Sequence, residues 1–429
     1  MKSIFHVTLL ACAVLTTSAE AVITDPFYTY TGVTPLSSIP AGTVLNQRTM
    51  TYKLAGFPTP LKAIQVLYRT NNARNQPVSN VTTILVSPKS NGKAISYQSF
   101  YDSLTPDDQP SQVIAGNNDI TTLSLGTAVA GIESLPIAGF VQAGYNVIVP
   151  DTEGQTANFA AGPEYGMTTL DSIRAAVNIP ATGLSATSKV AMIGYSGGAI
   201  ATNWAAQLAP TYAPDVNRQL VGASYGGLLV DPIHNLNYVN GSVAWGGVAP
   251  MALIGLARAY NINMTPYLSS YGQQVVNDIQ HQGIAYILSH YATLQWSKLL
   301  LPQYANDINS IPAVVNAANQ VNAGLYGNPT IPIQVVQGTV GLADGNFSPE
   351  PGDGVMMAKD VRALLKKFCA GGTTVQYGEV PTEHLTATAA WASLMLSWVN
   401  DRFAGKPAPN NCWLTNMLPS NSLAAQTVH

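Results

Sequence analysis

Charge is scarce in this chain. Charged residues make up 10% of its 429 residues, against about 25% in an ordinary soluble domain, and the formal net charge is −3. So few charges cannot cover a surface, which must then be built largely from Ser, Thr, Asn, Gln, Gly and Pro. There is no basic excess to attract nucleic acid or an anionic membrane, and neither is expected as a partner. Cysteine is scarcer still, with three residues and no His or Cys cluster at metal-ligand spacing, so no metal site is implied. Long apolar runs are missing too. Beyond the N-terminus no stretch reaches the ~18 uncharged residues that cross a bilayer, which predicts no transmembrane segment. Core-forming residues, by contrast, are plentiful at 47% hydrophobic, a composition that argues against disorder.

The N-terminus reads as a targeting segment. Lys2 supplies a positive start, Ile4 to Val14 an apolar stretch broken by His6 and Thr8, and Ala19-Glu20-Ala21 a small-residue cleavage site. Residues 1–21 are therefore expected to be a signal peptide and the protein to be secreted. Its removal takes Cys12 and leaves Cys369 and Cys412, which have one possible pairing in an oxidising compartment. Closing that loop of about 40 residues stabilises by about 3–4 kcal/mol in the chain-entropy model.

Short apolar, β-branched runs recur between turn residues: Thr82–Val86, Ala94–Gln98, Tyr145–Val149, Lys189–Ile193 and Leu220–Ser224. Such runs suit strands buried on both faces of a parallel sheet. Helical patterns lie between them, as at Thr168 to Val177, where Leu170, Ile173 and Val177 share one face. The alternation predicts an α/β fold with a mostly parallel, doubly wound central sheet. It stops after Ser224. From Asp231 to Asn328 only helical stretches stand out, chiefly Ala252 to Tyr260 and Tyr271 to Tyr291, before a strand resumes at Ile331 to Gln337 and a helix at Asp360 to Phe368. This organisation predicts a core of residues 22–230 and 329–429, with 231–328 inserted as a helical cap or lid over the site.

Gly194-Tyr195-Ser196-Gly197-Gly198 is a G-x-S-x-G pentad, a weak signal alone. Here a buried-strand run precedes it and a helix opening, Ala199 to Ala206, follows, which is the setting of a nucleophile elbow. A serine hydroxyl needs a base, and the fold's chain order is Ser, acid, His. Among the later histidines, His281 and His290 fall on the predicted cap helix. His384 falls in a turn after the strand Thr373 to Tyr377 and before the last long helix, where the base belongs. The acid should follow Ile331 to Gln337. The long loop there holds Asp344, Glu350 and Asp353, and spacing does not choose among them.

Several stretches jointly carry a resemblance. Tyr97-Gln98 with Tyr101-Asp102-Ser103, Asp151-x-Glu153-Gly154, Gly194 to Ala199, Gly222-Ala223-Ser224-x-Gly226-Gly227 and Glu383-His384-Leu385-Thr386 together resemble the secretory lipase family of the α/β-hydrolase superfamily. The resemblance runs from about Thr82 to Phe403. It implies Asp353 as the acid, because Asp353-Gly354-Val355-Met356 leading by a helix to Cys369 looks like the family's acid segment. It implies an oxyanion hole from the backbone N–H groups of Asp102 and Gly197, and a tail disulfide Cys369–Cys412. No cofactor is needed. Two departures stand out: Met357 where a Pro is common, and an expanded loop before Asp353. A family cysteine is also missing where Asp107-Asp108 stand, which predicts a looser loop over Thr105 to Gln112.

The expected function is hydrolysis of carboxylic, acylglycerol-type esters through an acyl-enzyme on Ser196, with His384 as base and Asp353 orienting it. The apolar cap residues Met251, Leu253, Ile254 and Leu256 are expected to form an acyl tunnel and an interface-facing surface. The competing readings are a short-chain or polyester-degrading esterase, a serine peptidase or acyltransferase, and a non-catalytic binding module.

Overall fold

The computed structural model describes residues 25–54, 57–115 and 125–429; the expected signal peptide, residues 1–21, lies outside them. Nine strands form one sheet in the order β1-β2-β3-β5-β4-β6-β7-β8-β9. They are β1 Val44–Leu54, β2 Phe57–Asn71, β3 Pro77–Leu85, β4 Ala94–Gln98, β5 Asn146–Pro150, β6 Val190–Tyr195, β7 Leu220–Gly226, β8 Ile333–Gly338 and β9 Val375–Val380. From β5 through β9 every neighbouring pair is parallel. Every residue of β4, β5, β6 and β8 is buried, as runs without polar alternation require of a sheet covered on both faces. The sheet is mixed but mostly parallel, the arrangement of an α/β-hydrolase.

Helices Gly162–Val177 and Gly197–Tyr212 cover one face through Leu170, Ile173, Ile200 and Trp204. Leu125–Gln142 and His384–Phe403 cover the other through Phe140, Trp391, Trp398 and Phe403. The N-terminal meander β1–β2–β3 is antiparallel and extends the sheet at one edge. Sequence patterning anticipates only its last strand. β2 begins exposed and becomes buried from Ala63 onward, so its first half carries no run of apolar residues to read.

Between β7 and β8 the described chain forms helices and no strand of the sheet. The main ones are Pro232–Tyr238, Val248–Tyr260, Ser270–Ile279, Ile284–His290 and Pro312–Val321. The single helix expected over Tyr271 to Tyr291 is broken, and His281 lies in the break rather than on a helix. The reason is tertiary. Leu104 N donates to Gln282 O and Ile284 N donates to Asp102 O, so this turn supplies backbone partners to the segment that follows β4. Helix continuity would have left those groups without them.

Thr105 to Gln112 is not loose. Its two halves are a 3₁₀ turn, Pro106–Asp108, and the start of the helix Pro110–Ala115. Ser111 donates to Asp151 through both backbone N and Oγ, Ser103 Oγ donates to Asp108, and Gln109 donates to Gly154 O. Buried hydrogen bonds hold the segment where a disulfide was expected to be missed. The remaining cysteines do pair: Cys369 and Cys412 are bonded with Cα atoms 5.8 Å apart, joining the helix Ala358–Ala370 to the tail helix Cys412–Met417.

Buried acids give the fold a pH dependence. Glu133, Asp151 and Glu164 are each pushed up to about 7, with burial as the main cause. Each is an ordinary carboxylate near 4 when unfolded, so between about pH 4 and 7 the native state holds the extra protons. Stability from these groups is complete below that window and is lost as pH rises through it. The melting temperature should therefore fall between about pH 5 and about pH 8. A midpoint that climbed steadily over that interval would contradict this account.

Candidate active site

Ser196 sits at the join of β6 and the helix Gly197–Tyr212 with φ 55° and ψ −120°, a conformation costly for any residue with a side chain. The surrounding glycines explain how it is tolerated. A Cβ on Gly194 would meet Gly198 O at 2.3 Å, and one on Gly198 would meet Gln98 O at 2.1 Å. Strand and helix can meet at so sharp a turn only without those side chains. The helix N-terminus, with unpaired N–H groups, lies just beyond the serine.

His384 comes from the far end of the sheet. β9 runs to Val380, and His384 is the first residue of the helix His384–Phe403 rather than part of a free turn. Glu383 caps that helix by accepting from Leu385 N and Thr386 N at 2.6 and 2.9 Å. Tyr195 O–H donates to His384 O at 2.7 Å, while the rings of Tyr195 and Trp245 flank the imidazole with centroids at 5.1 and 5.3 Å. The imidazole is thus held through its backbone and by two aromatic rings.

Its two nitrogens bridge the other two residues. His384 Nε2 lies 2.8 Å from Ser196 Oγ, and Nδ1 lies 2.7 Å from Asp353 Oδ2. With Nδ1–H donated to the carboxylate, Nε2 is left to accept from the serine hydroxyl. Asp353 is fully buried, and it also accepts from Met356 N at 2.7 Å, Val355 N at 3.2 Å and Gln337 Nε2 at 2.8 Å. The other acids of the loop point elsewhere. Asp344 accepts from Trp245 Nε1 at 2.8 Å, and Glu350 pairs with Lys359. Three later histidines have other partners: His234 lies 3.0 Å from Asp360, His290 stacks on Tyr286, and His429 pairs with Asp307.

Asp102 lies beside Gly197, with φ 32° and its carboxyl buried. A Cβ on Gly197 would fall 1.7 Å from Asp102 Oδ1, so the two residues approach as closely as a glycine allows. Ser103 N, next in the chain, donates to Glu153 at 3.2 Å. Asp102 and Gly197 line an apolar cavity together with Leu229, Leu236, Leu253 and Met356.

The family model described as Secretory lipase matches residues 120–411. The chain belongs to the secretory lipase family. Members of that family are carboxylic ester hydrolases. The chain is 31% identical to Lipase 10 of Candida albicans over 372 residues, covering 82% of this chain and 75% of that one. It is likewise 31% identical to Lipase A of Moesziomyces aphidis, covering 89% of this chain and 80% of its relative. A probable inactive lipase of Mycobacterium tuberculosis is 30% identical over 395 residues, with 89% and 82% covered, so relatedness alone does not establish a working site. Among solved structures, Candida antarctica lipase A in its closed state superposes with a TM-score of 0.77 at 27% identity, over 95% of this chain and 91% of that one. No helix among the described residues is long and apolar enough to cross a membrane.

Some expectations need correcting. Leu253 and Leu256 do line the cavity, but Met251 and Ile254 are buried elsewhere at 0% and 8% exposure, and none of the four faces outward. Sequence reasoning also missed Trp245, Tyr195 and Gln337, the residues packed on His384 or bonded to Asp353. Tyr195 and Gln337 were visible as positions next to the elbow and at the end of β8; Trp245 carried no sequence signal. The crowding at the elbow is directly testable. Gly197→Ala should cost about 1–3 kcal/mol by pushing Asp102 aside, read as a lowered melting temperature. An unchanged melting temperature would mean that the contact yields freely.

Proposed function

We propose that this secretory lipase is exported and hydrolyses acylglycerol-type esters of medium or long acyl chain through Ser196, His384 and Asp353. The observation that carries the proposal is the imidazole bridging a strained serine and a buried, fully hydrogen-bonded aspartate at 2.8 and 2.7 Å. In this reading Ser196 Oγ attacks the ester carbonyl while His384 Nε2 takes its proton, then passes it to the leaving alcohol. Asp353 holds the tautomer and balances the imidazolium, and water releases the acid by the reverse steps. The backbone N–H groups of Gly197 and Asp102 face the oxyanion. Residues 231–328 act as a cap, and the acyl chain lies in the apolar cavity beneath it.

An exposed apolar rim supports a lipid aggregate as the substrate form. Leu342 is 62%, Phe347 76%, Leu385 66% and Val243 48% exposed. Leu385 adjoins His384, and Val243 N donates to Gly345 O, so these side chains gather around His384 and the expanded loop. Of the acids in that loop, Glu350 is paired with Lys359 and Asp344 accepts from the Trp245 indole.

Hydrolysis of p-nitrophenyl esters from acetate to palmitate should peak at medium or long chains. Ser196→Ala should abolish it, and Asp353→Asn should lower kcat by about 10⁴-fold, whereas Asp344→Asn should cost less than about tenfold. Activity confined to acetate and butyrate would point to a short-chain or polyester esterase; full activity in Ser196→Ala would overturn the mechanism. Replacing both Leu342 and Phe347 by Ser should cut turnover of emulsified triglyceride about tenfold while sparing soluble p-nitrophenyl butyrate, since the loss is one of interfacial adsorption. Equal losses on both substrates would mean the rim serves the fold rather than the interface.

A further inference from the structure

Asp102 enters the mechanism above only through its backbone, yet its side chain is the more unusual part. The carboxyl is 6% exposed and makes no side-chain hydrogen bond among the described residues. The one donor that reaches it is its own backbone N–H. The charged groups facing it are other acids: Glu133 from the helix Leu125–Gln142 and Glu153 after β5, with Asp108 behind Glu153. The guanidinium of Arg258, on the helix Val248–Tyr260, is committed to the carbonyls of Leu104 and Gln280. A buried carboxylate with neither a cation nor strong donors is costly, and such a group keeps its proton instead. Burial first, and then repulsion from Glu133, accordingly hold the Asp102 carboxyl well above the usual carboxylate range.

A neutral acid here offers a hydroxyl, and its place is informative. Oδ1 occupies the space a Gly197 side chain would fill, beside the N–H that faces the oxyanion, and both residues line the acyl cavity. The backbone at φ 32° is the strained conformation that puts it there. An ionised carboxylate at this position would oppose charge developing on the ester oxygen; an O–H would meet it.

We propose that Asp102 works through its side chain as well as its backbone: kept as the neutral acid, its hydroxyl donates a hydrogen bond to the oxyanion of the tetrahedral intermediate, alongside the two N–H groups. The inference rests on the serine-hydrolase reading given above. The proton stays on Asp102 throughout, while the serine proton travels by His384, so every atom is returned at the end of the cycle. Loss of the Asp102 proton would remove the donor and place a negative charge beside the intermediate, so hydrolysis should fail as this group ionises.

The test is the pH dependence of kcat/KM on p-nitrophenyl butyrate for wild type, Asp102→Asn and Asp102→Ala, with Ser196→Ala alongside and melting temperatures to confirm folding. Asn tolerates a positive φ and keeps an uncharged donor. Its profile, scaled to its own maximum, should hold to at least one pH unit higher on the alkaline side than that of wild type. Asp102→Ala, which keeps the backbone N–H and loses the side chain, should lower kcat by about 10²-fold with little change in KM. Should Asp102→Ala fail to fold, the Asn profile decides alone. Coincident alkaline limbs in wild type and Asp102→Asn, including profiles equally flat, would overturn the proposal, as would an Asp102→Ala kcat within threefold of wild type. Retained turnover in Ser196→Ala would instead remove the serine-hydrolase reading itself.

Discussion

The rest of the site depends on how closely two pieces of backbone meet at Ser196. β6 ends and the helix Gly197–Tyr212 begins within one residue, and a side chain at Gly194 or Gly198 would strike a carbonyl oxygen. That approach holds Ser196 in a conformation it would not adopt freely, with its oxygen out of the sheet and the helix N-terminus behind it. The strain is sustained because β6 is buried along its length between β4 and β7, and the helix is packed through Trp204 and Ile200. Core packing there stabilises a turn that local preferences oppose.

Parallel strands do the remaining positioning. β6, β8 and β9 all point the same way, so the segments leaving their C-terminal ends gather on one edge of the sheet. Ser196, Asp353 and His384 each follow one of these strands, which explains how residues far apart in sequence meet within hydrogen-bond distance. The inserted helices complete the arrangement from outside. Trp245 lies edge-on to His384 and is tied by Asp344 to the loop that also carries Asp353, so cap and acid loop brace the same ring from two directions.

Much of this was legible in the sequence, for identifiable reasons. β4, β5, β6 and β8 are buried on both faces and therefore read as unbroken apolar runs, and Ser196 stands out because a sharp turn demands glycines. The unread parts depend on tertiary partners. Gly283 is a weak local mark of the break at Gln280 to Gly283, where the turn gives backbone partners to Asp102 and Leu104. Asp344 and Asp353 have similar local settings, and only the position of His384 distinguishes them. The β1–β2 hairpin is half exposed and lacks an apolar signature. The segment Thr105 to Gln112 was misjudged for the same reason: its order comes from Asp151 and Gly154, some forty residues on.

That last contact leads to the feature least expected from composition. In a chain poor in charge, Asp102, Asp108, Glu133, Asp151 and Glu153 are all buried. Their partners are uncharged. Ser111 serves Asp151; Tyr97 and Ser99 serve Glu133; Tyr165 and Ser103 serve Glu153. Burying charge is unfavourable, and burial raises Asp102, Glu133, Asp151 and Glu153 above the usual carboxylate range. A wall of neutral acids differs from a wall of ions in what it offers a reaction. It supplies polar hydrogens at short range without the strong field that would either trap a charged product or repel a forming oxyanion. For a neutral ester whose transition state carries one localised negative charge, the protonated cluster suits the chemistry better than its ionised form.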